Sequence, residues 1–316
     1  MKKLSIVIPC YRSEHTIAAV VSEIDEALAG AGYSYEIVFV NDGSPDGVWP
    51  VIAKLCEARK DLIGINLAKN FGQHSALMAG YRACAGDIVV TMDDDGQTPA
   101  FGIPALAAGV ENGADVVYGC YESRRDSAFR KLGSKLNNRL LESFIGKPKD
   151  VQLTSFFAAK RYIIDEICKY ANPYPYIWGL IVRSTGSIAN VAIEHRGRAS
   201  GASGYTLKKL FDLWMNGFTA FSVKPLRLAT NFGLVISVVG FAAAIFTIAN
   251  KILHPEISAG YSSLMAVLLV VGGILMILIG MLGEYIGRMY ISMNEAPQYV
   301  VKEEIGNRRE GAPDAK

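Results

Sequence analysis

The sequence predicts an α/β domain built on a mostly parallel sheet, followed by interfacial helices and a two-helix transmembrane hairpin. Three observations predict it. Short β-rich apolar runs alternate with helix-length segments through the first third of the chain, polar clusters follow those runs, and two long uncharged stretches lie beyond Arg227. The first pattern is that of parallel strands joined by crossover helices.

The strand candidates are residues 4–8, 36–40, 62–66, 87–92 and 115–118, with a further one over 154–159. Residues 4–8 follow Met1-Lys2-Lys3 but stop at Pro9, too early for a secretory signal, so they read as a buried strand. In such sheets ligands bind beyond the carboxyl ends of the strands. Those ends carry Pro9-Cys10-Tyr11, Asn41-Asp42-Gly43-Ser44 and Asp93-Asp94-Asp95-Gly96-Gln97.

Residues 228–250 carry no charge, and after a polar turn at Lys251-Ile252-Leu253-His254-Pro255-Glu256 a second uncharged run reaches Gly283. A bilayer crossing takes about 20 apolar residues. The spans are set at about 228–250 and 261–283, and a pair of buried core helices is the alternative. Lys224 and Arg227 before the first and Arg288 after the second place both termini and the α/β domain on the cytoplasmic side of the membrane, despite the lone Lys251 in the turn. The domain boundaries that follow are 1–223 for the α/β domain, 224–288 for the hairpin and 289–316 for a tail. The polar tail beyond Lys302 reads as lacking structure.

Two basic amphipathic segments, about 127–145 and 206–221, read either as helices packed on the domain or as helices lying on the membrane surface. The overall balance of 32 basic against 30 acidic residues argues against nucleic acid as a partner. The five scattered cysteines form no C-x-x-C pair, which fits a reducing compartment and neither a disulfide framework nor a zinc site.

Chemistry is expected after residues 87–92, where a buried strand ends in three aspartates and a glutamine. Adjacent carboxylates repel one another unless a cation is bound, and Mg²⁺ and Mn²⁺ take oxygen ligands shared with a substrate diphosphate. Asp42 is positioned to accept a base or ribose hydrogen, whereas Ser44 and Asp46 can serve as helix caps and Gly43 as the turn. Neither G-x-G-x-x-G nor G-x-x-x-x-G-K-[ST] occurs, which excludes the usual dinucleotide and phosphate-loop readings. His74 and His195 stand apart from other ligand-type residues and read as ordinary surface or helix-start histidines.

Ser5-Ile6-Val7-Ile8-Pro9-Cys10-Tyr11, Asn41-Asp42-Gly43-Ser44, Asn70-Phe71-Gly72-Gln73 and Asp93-Asp94-Asp95-Gly96-Gln97-Thr98-Pro99 resemble the inverting family 2 glycosyltransferases of GT-A fold. The hairpin and Leu282-Gly283-Glu284-Tyr285-Ile286-Gly287-Arg288 are similar to the polyprenyl-phosphate glycosyltransferases, including bactoprenol glucosyltransferases and dolichol-phosphate mannose synthase. The resemblance implies a nucleotide-sugar donor, a polyprenyl phosphate acceptor, Mg²⁺ or Mn²⁺ as cofactor, and a homotetramer as one possible assembly. It implies that Asp95 and Gln97 hold the metal, that Asp93 and Asp94 lie beside the nucleotide sugar, and that Pro9, Tyr11 and Asp42 border the base and ribose. It places Arg130, Ser134 and Arg198 on the acceptor phosphate, with Arg124 as a substitute for an arginine replaced by Tyr121. Asp150 is a candidate for orienting the sugar hydroxyls.

The chain departs from the family pattern at Ser13, Tyr121 and Gly204, where a glutamate, an arginine and a lysine are usual. The reaction implied is attack of a lipid phosphate oxygen on the anomeric carbon. Rival readings are a processive polysaccharide synthase, which normally adds Q-x-x-R-W and more spans, and a catalytically silent membrane-anchored binding protein.

Overall fold

The computed structural model describes residues 2–96, 98–121, 148–149, 151–193, 224–253, 260–294 and 296–306. The chain divides into two units, Met1–Thr206 with Glu295–Lys316, and Leu207–Asn294.

The first unit is an eight-stranded sheet in the order β7-β5-β6-β4-β1-β2-β3-β8. Its centre comprises β1 (Lys3–Cys10), β2 (Ser34–Asn41), β3 (Leu62–Leu67) and β4 (Ile88–Thr91), all mutually parallel. Both faces of these strands are covered, so they read as continuous apolar runs rather than alternating ones. The helices α1 (Ile17–Leu28), α2 (Val48–Ala58) and α4 (Ile103–Glu111) pack on the face that carries Ile6, Ile8, Ile37 and Phe39. In α1 the buried set is Ile17, Val20, Val21, Ile24 and Leu28, a single stripe at helical spacing.

Helix α3 (Gln73–Ala83) covers the opposite face. It approaches the sheet closely at Gly80, where a Cβ would stand 2.4 Å from Val7 Cγ1. Its Tyr81 hydroxyl lies 2.7 Å from that of Thr91, both buried. This contact ties α3 to the strand that delivers the aspartates.

Beyond β4 the topology becomes mixed. Strand β5 (Val116–Tyr121) pairs antiparallel with β6 (Phe157–Lys160) and parallel with β7 (Ile188–Ile193), while β6 runs antiparallel to β4. Helices α5 (Arg161–Cys168) and α6 (Ile177–Ser184) follow β6, and α5 packs on α3. The strand candidates from sequence correspond to β1 through β6, and β7 is an addition.

The tail supplies a correction. Val301–Ile305 is β8, antiparallel to β3 with Gly64 opposite Ile305 and Asn66 opposite Glu303, so this part of the tail is ordered on the domain. Its Lys302, Glu303 and Glu304 give it the charge of a sheet edge, which hides it from a search for apolar runs. Just before it, Tyr299 is buried, accepts a hydrogen bond from Arg82 at 2.9 Å and lies under that guanidinium at 5.3 Å from the ring centre.

The second unit contains α7 (Lys224–Leu253) and α8 (Tyr261–Met293). Within α8 the stretch Val270–Gly287 is long and apolar enough to cross a membrane, and none of it is buried. In α7 an apolar run is identified over Ala229–Ala243, and among the described residues one stretch meets the length and composition of a bilayer crossing. Both helices present large apolar side chains outward, including Phe232, Phe241, Met276 and Ile279.

Tyr299→Ala removes a buried ring, its hydrogen bond and its stacked cation. The substitution is expected to cost about 2–3 kcal/mol of domain stability, read as a lowered unfolding temperature of the detergent-solubilised chain. An unchanged transition would show that β8 does not brace the fold.

Candidate active site

Three strand ends converge on one rim. After β1 the chain turns through Tyr11 and Arg12, the latter with φ of 61°. A positive φ is rare for a residue with a side chain, and here it is held from both sides. The Tyr11 amide donates to Asp94 Oδ2 at 2.9 Å and the Arg12 amide to Ser44 Oγ at 2.8 Å. The exposed Tyr11 ring carries the Arg12 guanidinium 5.5 Å from its centre. Pro9, by contrast, is buried in β1 opposite Val40 and shapes the strand end rather than presenting a surface.

After β2, Asn41 donates to Asn66 Oδ1 at 2.8 Å and accepts from the Ser44 amide at 3.0 Å. Gly43 turns with φ of +58°, and a Cβ there would lie 2.3 Å from the Lys69 carbonyl carbon. The chain after β3 therefore passes directly against this turn. Asp42 is buried and accepts from the amides of Phe71 at 2.7 Å and Gly72 at 2.9 Å. Burial raises its carboxyl above the ordinary aspartate value against the opposing pull of those two amides. The sequence reading offers Asp42 to the nucleotide; in the structure its two oxygens hold the loop that leads into α3.

Glu14 and Asp46 lock the first two strand ends together. The Glu14 amide donates to Asp46 Oδ2 at 3.1 Å, and the Glu14 carboxylate accepts from the Gly47 amide at 3.0 Å. Asp46 also accepts from Ser44 Oγ at 2.5 Å and from the Val48 amide at 3.3 Å, so its role is to cap and brace.

After β4 come the aspartates. Asp93 accepts from Gln73 Nε2 at 3.0 Å and from Ser155 Oγ at 2.5 Å. Asp94 holds the Tyr11 amide through its side chain and the Thr16 hydroxyl through its carbonyl, at 2.7 Å. Burial raises both carboxyls, and each is pushed further by a neighbouring aspartate, Asp95 for Asp93 and Asp93 for Asp94. Asp95 is exposed at the rim.

Among the described residues no group of three or more histidine, cysteine and acidic side chains is arranged to close around a metal. The donors at the end of β4 are all oxygens and stand at an open rim. That fits a hard divalent cation whose shell is completed by waters and substrate phosphates. Gln97, Arg124, Arg130, Ser134, Asp150, His195 and Arg198, together with the two basic amphipathic segments, lie outside the described residues.

Sequence reasoning missed four contributors. Gln73 and Ser155 hold Asp93, and Trp178 donates its indole hydrogen to the Thr154 carbonyl at 3.1 Å. His74 is the helix-start residue the sequence suggests but not a surface one: its ring meets Tyr176 and Trp178 edge-on at 5.5 and 5.3 Å, and burial lowers its pKa to about 4. The available signal was Asn70-Phe71-Gly72-Gln73, recognisable as a motif without indicating what its last residue touches.

The chain matches the family model for glycosyl transferase family 2 over residues 5–168 and that for the GtrB C-terminal hairpin over residues 224–289. It is 34% identical over 305 residues to undecaprenyl-phosphate 4-deoxy-4-formamido-L-arabinose transferase of Klebsiella pneumoniae subsp. pneumoniae, covering 96% of this chain and 93% of that one. The transferase of the same name from Klebsiella pneumoniae strain 342 matches at the same identity and coverage. Among solved structures, mannosyl-3-phosphoglycerate synthase from Rubrobacter xylanophilus superposes with a TM-score of 0.55 at 19% identity, covering 73% of this chain and 75% of that one. At that identity the likeness is one of fold.

Since burial raises the Asp94 carboxyl, its ionisation opposes folding, a penalty absent below the ordinary carboxylate range and present once pH rises through the raised value. Asp94→Asn keeps an acceptor for the Tyr11 amide and removes the charge. In chelator at pH 7 the variant is expected to unfold roughly 2–4 °C above the parent, with the gain vanishing near pH 3. A lower unfolding temperature at pH 7 would show that the charge is compensated. Asp42→Ala leaves two amides without an acceptor and is expected to cost about 2–4 kcal/mol, measured by denaturant unfolding.

Proposed function

The chain belongs to glycosyl transferase family 2, and we propose that it moves one sugar from a uridine diphosphate donor to undecaprenyl phosphate at the cytoplasmic face of a membrane. It is a glycosyltransferase of the polyprenyl-phosphate type. The observation that carries the proposal is the meeting of Asp93, Asp94 and Asp95 with the Tyr11 and Asp42 turns at one sheet rim, in a chain that also carries an exposed apolar α8. The named relatives support the lipid phosphate acceptor through the acceptor in their names.

In this reading a phosphate oxygen of the lipid attacks the anomeric carbon as the bond to the nucleotide diphosphate breaks, with inversion. A phosphate monoester is already ionised at neutral pH, so no strong general base is required. The protein's work is positioning and charge compensation. Tyr11 and the Asn41–Asp46 turn border the nucleoside, and Asp93 stands beside the transferred sugar, fixed by Gln73 and Ser155. A divalent cation, Mg²⁺ or Mn²⁺, held by Asp95 and Gln97 would neutralise charge at the departing diphosphate. Arg124, Arg130, Ser134 and Arg198 serve the acceptor phosphate, for which forked guanidinium donors are suited. Asp150 addresses the sugar hydroxyls. Helices α7 and α8 form a membrane hairpin with both termini in the cytoplasm, anchoring the domain where its lipid substrate resides.

Detergent-purified protein incubated with undecaprenyl phosphate and a panel of nucleotide sugars is expected to yield a lipid product carrying one sugar, seen by mass spectrometry and abolished by chelator. A ladder of sugars would overturn the single-transfer reading. Asp95→Asn is expected to lower transfer by about a thousandfold with the unfolding transition retained; normal activity would remove the metal assignment. Arg130→Ala is expected to raise KM for the lipid phosphate more than for the donor.

A further inference from the structure

Among the described residues, a buried polar atom near the aspartates has no hydrogen-bond partner: His74 Nδ1 is enclosed, with its ring held edge-on between Tyr176 and Trp178. Those two rings also meet edge-on, 5.6 Å apart, so the imidazole sits in a fixed aromatic frame. A buried acceptor or donor left unpaired is costly. Such an atom calls for a partner, whether an ordered water, an ion or a ligand group.

A small cavity opens beside it. His74 and Leu77 from α3, Ser155 and Phe157 at the start of β6, and Ile177 and Trp178 of α6 form most of its wall. It has ≈ 10 Å³ of space for the centre of a water-sized group, room for a single hydroxyl and not for a sugar ring. Ser155 also donates to Asp93, and Gln73, the neighbour of His74 on α3, lines the cavity and donates to the other oxygen of Asp93. The cavity therefore lies directly behind the aspartate that stands beside the sugar.

The chemistry of the wall selects among ligands. An anionic phosphate calls for cationic or multiple free amide donors, and this wall offers a neutral imidazole, aromatic rings, and a serine and a glutamine that already donate to Asp93. Aromatic and aliphatic surfaces with a few neutral polar atoms suit an uncharged substituent of a carbohydrate ring. Resting on the transferase reading above, we propose that His74 is a specificity-determining residue, taking one small polar substituent of the donor sugar into this cavity as its hydrogen-bond partner. A site built to pair a hydroxyl discriminates strongly against an analogue that lacks it, because its own polar group is then left unpaired. Trp178 acts as a positioning residue, since its bond to Thr154 fixes the ring that holds the imidazole.

The test uses the full chain in detergent with undecaprenyl phosphate and four donors, UDP-glucose, UDP-galactose, UDP-xylose and UDP-N-acetylglucosamine. His74→Phe keeps the ring and removes both nitrogens. It is expected to lower kcat/KM for the preferred donor by about tenfold or more relative to donors lacking the recognised substituent, while inhibition by UDP is unchanged. Should the phenylalanine variant fail to fold, His74→Asn, which retains a polar atom near the Nδ1 position, is expected to preserve the donor ranking. His74→Leu would then be expected to flatten it. An equal loss across all donors, an unaltered ranking in His74→Phe, or a parallel loss of UDP affinity would each overturn the proposal. Absence of product from the parent protein with every donor would overturn the transferase reading itself, and this inference with it.

Discussion

Three successive carboxylates at the end of β4 repel one another in a setting that burial makes less forgiving, and the polar architecture of the rim is arranged around that repulsion. Asp94 is not a free ligand. It accepts from the backbone of the β1 turn and so holds Tyr11 in place. Asp93 is gripped from two sides by neutral donors, one from α3 and one from the approach to β6. Neutral donors steady a carboxylate without cancelling its charge, so the negative potential at the rim survives. Asp95 is left at the rim, where a metal shared with a diphosphate would have to sit.

A second buried carboxylate transmits this arrangement to the adjoining loop. Asp42 at the end of β2 takes the amides of Phe71 and Gly72, which immediately precede α3. The first turn of α3 then delivers Gln73 to Asp93 and His74 to the aromatic frame. A charged group at one strand end thus sets the position of a neutral donor at another. A side chain at Gly43 would disturb the same relay, because the backbone of Lys69 and Asn70 passes too closely to admit one.

How much of this is legible in sequence follows from where the forces act. The central strands announce themselves because burial on two faces demands unbroken apolar runs, and the aspartates stand out because nothing local explains three charges after such a run. β8 was invisible for the opposite reason. As an edge strand it carries Lys302, Glu303 and Glu304, and its pairing with β3 is a contact across more than two hundred residues that no local pattern encodes. His74 reads from sequence as a surface or helix-start histidine, and it does start α3, but its enclosure by Tyr176 and Trp178 comes from residues about a hundred positions downstream that no local pattern reveals. Likewise the family motif around Gln73 marks importance without naming Asp93 as the object of its side chain. Sequence resolves the residues that provide charge better than those that orient it.

The tail makes the same point about orientation and extends it to the whole domain. Between the end of α8 at Met293 and the start of β8 at Val301, Gln298 donates to the carbonyls of Tyr170 at 3.4 Å and Asn172 at 2.9 Å. Tyr299 meanwhile engages Arg82 near the end of α3, whose guanidinium also reaches the carbonyls of Cys168 and Tyr170. The segment that follows the apolar helix therefore braces α3 and the 168–172 loop, which lead on one side to His74 and on the other to Tyr176 and Trp178. Both walls of the aromatic frame depend on residues that the chain adds only after its apolar helices.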